Sequence, residues 1–83
     1  GGMISLLCFE SGHYLPSLLE GFQSIEIFQE KNIEFTDPFD LVYFENRNKY
    51  KVKMQPEDLT DYNCFDTVIH NEMQRKKVSD NEF

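Results

Sequence analysis

The chain has 83 residues, fifteen acids against eight bases for a net charge of −7, and 40% apolar residues. That length holds one hydrophobic core, and no window approaches the ~18–20 apolar residues of a membrane-spanning helix. The acidic balance repels phosphate backbones and anionic membranes and attracts basic protein surfaces.

Eight Phe and four Tyr supply the buried area that disordered chains lack, so the sequence reads as folded. Gly1 and Gly2 read as an expression scar, residues 3–77 as a single α+β domain, and residues 78–83 as a frayed C-terminal tail. The run from Met3 to Phe9 reads as a buried strand, apolar on both faces. It is too short for a secretory leader and meets Glu10 at once. Glu10-Ser11-Gly12-His13 supplies a turn.

Leu15, Leu18, Leu19 and Phe22 fall on one helical face, which predicts a helix over 14–22 with Pro16 in its first turn. Ser17 and Glu20 have capping-box spacing. Beyond Gly21 the pattern is double. Ile25 and Phe28 extend the helical stripe to about Glu30, whereas Ser24 to Phe28 and Ile33 to Thr36 alternate like strands. Glycine disfavours a helix interior and isoleucine favours strands, so the expectation leans to strands there.

Asp40–Glu45 and Lys49–Met54 flank Asn46-Arg47-Asn48 and predict a β-hairpin with a three-residue loop. Pairing Glu45 with Lys49 would place Phe44 opposite Tyr50 and Val42 opposite Val52 on an apolar face. Tyr43 and Leu41 would then face Lys51 and Lys53. Pro56 to about Lys77 predicts a C-terminal helix with the stripe Leu59, Tyr62, Phe65, Ile69 and Met73 and a basic last turn. A shorter helix capped by Asn63 is the alternative. The fold expected from these elements is α+β. A small antiparallel sheet is built on the 40–54 hairpin, and the two helices pack on one face through Leu15, Leu18, Leu19, Phe22, Phe65 and Ile69.

Chemistry-bearing residues are sparse. Cys8 with His13 and Cys64 with His70 are conceivable thiol–imidazole pairs without a surrounding signature, and the six-residue offset sends Cys64 and His70 to different sides of a helix. No Cys-x-x-Cys, His-x-x-x-His or Asp-x-Asp spacing points to a metal. Asp40, Glu45 and Lys49 do not fit a nuclease pattern, and no glycine-rich loop could cradle phosphate. No catalytic residue, metal ligand or cofactor is assigned.

Two surface patterns carry the functional expectation. Asp58, Asp61, Asp66 and Glu72 lie off the apolar stripe of the last helix, with Tyr62 as an aromatic anchor if exposed. Arg47, Lys49, Lys51 and Lys53 alternate along one strand beside Tyr43 and could hold an anion. The leading expectation is a non-enzymatic, cytoplasmic protein with reduced thiols that binds and modulates or inhibits a partner with a basic surface. The compact length and the Asn- and Phe-rich make-up suggest a phage or mobile-element accessory protein. A nucleic-acid module on the basic ribbon is the rival, and a homodimer through an exposed edge strand or the Leu15–Phe28 face is a third option.

Overall fold

The structure is a computed structural model, and it describes residues 2–9 and 17–79. The elements in chain order are β1 (Met3–Cys8), α1 (Leu18–Glu30), β2 (Glu34–Glu45), β3 (Asn48–Met54), a 3-10 helix (Pro56–Leu59), α2 (Tyr62–Ile69) and β4 (Lys76–Val78). The strands form one sheet in the order β1-β2-β3-β4. β2, β3 and β4 pair antiparallel, and β1 joins β2 in parallel, so the α+β fold has a mixed sheet. The expected turn over residues 10–13, His13 and Leu15 lie outside the described residues.

α1 begins at Leu18 with Ser17 as its N-cap, the capping-box start, and not with Pro16 in its first turn as the expected helix over 14–22 had it. The Ser17 hydroxyl accepts from the Glu20 amide at 3.2 Å and the Glu20 carboxylate accepts from the Ser17 amide at 3.0 Å, completing the capping box. The helix then runs through Gly21 to Glu30, and the strand expected over 24–28 does not form. Leu18, Phe22, Ile25 and Phe28 keep helical spacing and turn one face toward the core. Gly21 earns its place by proximity: a Cβ there would sit 2.3 Å from the Phe9 ring. The helix ends at Lys31 in a Schellman pattern. Asn32 takes φ 62°, its amide donates to Gln29 at 3.0 Å, and the Ile33 amide donates to Phe28 at 3.0 Å. Ile33–Thr36 feeds into β2 rather than forming a separate strand with 24–28.

The hairpin has a two-residue turn. Asn46 and Arg47 take φ of 51° and 66°, the signature of a type I′ turn, and Glu45 pairs with Asn48. The predicted register is therefore off by one residue. Such a slip moves every side chain of one strand to the opposite face relative to its partner. Phe39, Leu41 and Tyr43 face Met54, Val52 and Tyr50, and these form the core side; Asp40, Val42 and Phe44 face Lys53, Lys51 and Lys49 on the other. The type I′ turn wins because its twist matches that of the strands, whereas the three-residue loop would have put Tyr43 against Lys51.

Between Ile4↔Phe35 and Leu6↔Asp40 the β1–β2 register shifts, so β2 has three more residues there than β1. The shift holds a cis Asp37–Pro38 bond, and the Thr36 hydroxyl donates to the Pro38 carbonyl at 2.8 Å. β1 is a sheet edge, half-exposed rather than buried on both faces.

The predicted C-terminal helix is split into three pieces. Asp61, not Asn63, caps α2 by accepting from the Cys64 amide at 2.8 Å, and the helix stops at Ile69 with His70 as its C-cap. Lys76 and Lys77 therefore fall on β4 instead of a last helical turn, and Met73 projects into solvent. Phe22, Ile25, Leu59, Phe65 and Ile69 close one buried cluster with Phe9, Phe35, Phe39, Leu41, Tyr43, Val52 and Met54. Its aromatic centre is Phe22, with the Tyr62 ring edge-on at 5.6 Å and Phe65 at 5.1 Å. Of the expected helix contacts, Phe22, Phe65 and Ile69 are buried and Leu18 is partly so. Leu19 faces outward because the core arc of α1 is centred on Phe22 and Ile25.

Two backbone positions give measurable outcomes. Gly21→Ala normally stabilises a helix interior by up to about 1 kcal/mol. Here the Phe9 ring must move, and urea denaturation should show a loss of about 1–3 kcal/mol, relieved when Phe9→Leu is added. Arg47 is an L-residue in the left-handed region, so Arg47→Gly should raise stability by up to about 1 kcal/mol in the same assay.

Candidate functional site

The hairpin end and the segment after α2 meet in a polar cluster. Glu45, the last residue of β2, uses both carboxylate oxygens: Oε1 accepts from Arg75 Nη1 at 3.1 Å and Oε2 contacts His70 Nε2 at 2.9 Å. His70 Nδ1 lies 3.1 Å from Asp66 Oδ1, one helical turn earlier. Arg75 stacks on Tyr50, its guanidinium carbon 4.2 Å from the ring centroid, and Tyr50 stacks on Tyr43 at 5.7 Å. The Tyr43 hydroxyl donates to the Ile69 carbonyl. Burial pushes the Tyr43 hydroxyl above its usual range, against the lowering effect of the neighbouring Arg75. Arg75 is held above its already high ordinary value by hydrogen bonding to Tyr43 and Glu45.

This constellation looks chemical but is arranged as a fastener. Both His70 ring nitrogens face carboxylates within hydrogen-bond distance. Cys64 does not join them. Cys64 sits in the first turn of α2, where its sulfur is 3.8 Å from the Thr60 hydroxyl, and His70 lies beyond the other end of that helix. Cys8 and Cys64 are not joined by a disulfide. Among the described residues no three His, Cys, Asp or Glu side chains converge as metal ligands, and no helix is long and apolar enough to cross a membrane. Two open hollows, of about 420 Å³ beside Ile33 and Pro56 and about 490 Å³ beside Val68 and Gln74, are lined by few ionisable groups, Glu34 in the first and Lys53 and Asp58 in the second.

The structure gives internal work to most residues that the sequence put forward for partner binding. Asp58 accepts from the Gln55 amide at 3.0 Å, and Asp61 caps α2, which holds its carboxyl below the usual range through the Cys64 amide. Tyr62 packs half-buried against Phe22 and Phe65, so it is no exposed anchor. Asp66 pairs with His70, and Glu72 alone stays open, 3.9 Å from Arg75.

On the basic ribbon, Lys49, Lys51 and Lys53 do share one face, and Arg47 sits in the turn. Lys49 is 4% exposed with its ammonium 5.8 Å from the Phe44 ring centroid, and Lys53 pairs with Asp40 at 3.0 Å. Tyr43 is fully buried on the opposite face, moved there by the one-residue register change.

A different surface was missed. Leu19 and Ile27 are 48% and 49% exposed, two turns apart on the solvent face of α1. Gln23, Glu26 and Glu30 are exposed at the same helical azimuths, opposite the Phe22 and Ile25 core arc. The result is an apolar pair set among acids on a rigid, capped helix. Its signal was present in the sequence: once α1 is extended to Glu30, Leu19 and Ile27 fall outside the apolar stripe. Breaking the helix at Gly21 hid them.

Comparisons of the chain with known protein families, with curated proteins and with solved structures find no match.

The fastener can be tested through Tyr43. Tyr43→Phe should cost about 1 kcal/mol by loss of the bond to Ile69. The raised folded-state value also means that Tyr43 favours the folded state fully below its ordinary value of 10.0. That contribution falls as pH rises through the alkaline range. Urea midpoints measured from neutral to alkaline pH should therefore fall more steeply for the wild type than for Tyr43→Phe.

Proposed function

We propose that this chain acts by binding another protein that presents a basic surface with an apolar seat, and that α1 supplies the contact. The carrying observation is the solvent face of α1, where Leu19 and Ile27 are exposed along with Gln23, Glu26 and Glu30. Two exposed apolar side chains on one helix face can serve as anchors when a partner covers them as one patch. A helix laid into a groove uses apolar anchors at such spacing, and the surrounding acids steer a basic partner and fix its orientation. The net charge of −7 extends that field over the whole molecule.

Support for a binding role rather than catalysis comes from the polar cluster, whose histidine is occupied on both sides by carboxylates. Support for a protein over a nucleic acid comes from the basic ribbon, where Lys49 and Tyr43 are buried and Lys53 is neutralised by Asp40.

Charge reversal separates the two readings. Affinity capture from cells that carry the gene, quantified by mass spectrometry, should recover a basic protein with the wild type. Glu26→Lys with Glu30→Lys should weaken that interaction about 10- to 100-fold, and Leu19→Ser with Ile27→Ser by a similar factor. Lys51→Glu with Lys53→Glu should leave it within about threefold. Recovery of nucleic acid that depends on Lys51 and Lys53 would transfer the function to the other face.

A further inference from the structure

We infer that the hollow beside Ile33 and Pro56 is a seat for the side chain of an arginine, offered by the basic partner of α1. The inference rests on the proposed binding role only for the source of that side chain. The hollow measures about 420 Å³ and opens where β1 starts against β2, at the pairing of Met3 with Glu34. Met3, Ile33, Phe35 and Pro56 give it apolar walls. Gln29, Asn32 and Glu34 complete the lining, so two carboxamides and one carboxylate bring acceptor oxygens to it. Glu34 is the one charged residue of this lining, and no base contributes to it.

Charge sets the occupant. α1 ends at this hollow, Gln29 being its penultimate residue, and its last turn holds no base. The helix dipole is negative there, and Glu30 adds to it where a cation is ordinarily favoured. Lys31 follows as the C-cap, and among the described residues it makes no ion pair with Glu30 or Glu34. Asp58, Asp61, Asp66 and Glu45 differ in this respect, each being bonded within the fold. The end of α1 therefore keeps an uncompensated negative field over apolar walls, which stabilises a cation carried on an aliphatic stem. Guanidinium suits the lining better than ammonium. Its five N–H groups outnumber the three of an ammonium and match the acceptors of Gln29, Asn32 and Glu34. It is also more weakly hydrated, so withdrawing it from water costs less. The hollow stands open to solvent, whereas sites for free small molecules enclose most of the ligand surface. A side chain reaching out of a protein needs only its tip seated.

The probe is N-acetyl-arginine amide, with N-acetyl-norleucine amide as an aliphatic stem without the charge. In amide NMR titrations of the full chain, the arginine probe should shift Gln29, Asn32, Ile33, Glu34 and Phe35 with a dissociation constant on the order of 10 mM. Added salt should weaken it, and the norleucine probe should bind at least about fivefold more weakly. Glu34→Gln should raise the arginine constant at least about threefold with an unchanged melting curve. Glu72→Gln, which removes an equal charge beside Arg75, should leave it within about 1.5-fold. No shifts around the hollow, equal binding of the two probes, or indifference to Glu34→Gln overturns the inference. Probe binding without capture of any basic protein supports the seat and overturns the protein-binding role. Capture of a basic protein that Leu19→Ser with Ile27→Ser abolishes, with no probe binding, supports that role and overturns the seat.

Discussion

Asn46 and Arg47 reverse the chain with left-handed backbone at both positions, and everything on the sheet takes its side from that turn. With Glu45 closed against Asn48, the alternation of β2 and β3 puts Phe39, Leu41, Tyr43, Val52 and Met54 on one face. Each of these is almost completely withdrawn from solvent. A register one residue away would set Tyr43 and Leu41 against Lys51 and Lys53, splitting the apolar side chains of the two strands between the faces. The type I′ turn and the apolar pattern therefore support one another, and neither alone would hold the register as firmly.

The same register places the hairpin's polar end where the C-terminal segment can use it. Tyr43 reaches Ile69 from inside the core, while Glu45, two residues on and at the rim, takes Arg75 and His70. The Arg75 guanidinium lies over the ring of Tyr50, the cross-strand neighbour of Tyr43. A cation over an aromatic face that also donates to a carboxylate suits arginine in a way that lysine would not reproduce. These contacts fix the route of the chain after α2 and deliver Lys76–Val78 to the outer side of β3. A helix continued to Lys77 would forgo all of them.

Internal use of polar groups on the hairpin and α2 shifts the functional surface elsewhere. The acids of the 3-10 helix and α2 are spent mainly on capping and on His70, and the lysine ribbon is partly buried or paired. α1 has the reverse character: it is capped through Ser17 and Glu20, anchored by Phe22 and Ile25, and carries on its back apolar and acidic side chains. A rigid helix with such a face is preorganised for docking, since little conformational entropy remains to be lost there.

The amino-acid pattern determined much of this molecule by short-range rules. The α+β class, the strand at Met3–Cys8, the Ser17–Glu20 capping box, the existence of the hairpin and the burial of Phe22, Phe65 and Ile69 all follow from periodicity and local hydrogen bonding. Tertiary structure decided the cases in which two local rules competed. Gly21 is disfavoured in a helix taken alone, yet the Phe9 ring lies over it and needs the missing Cβ, so α1 continues and Leu19 and Ile27 come to face solvent. Asn46-Arg47-Asn48 is compatible with either loop length, and the buried partners of Tyr43 and Leu41 chose between them. Arg75 suits a helix end by sequence, but its partner Glu45 lies 30 positions earlier in the chain. Periodicity registers neighbours along the chain; contacts across such separations exist only once the sheet has brought their residues together.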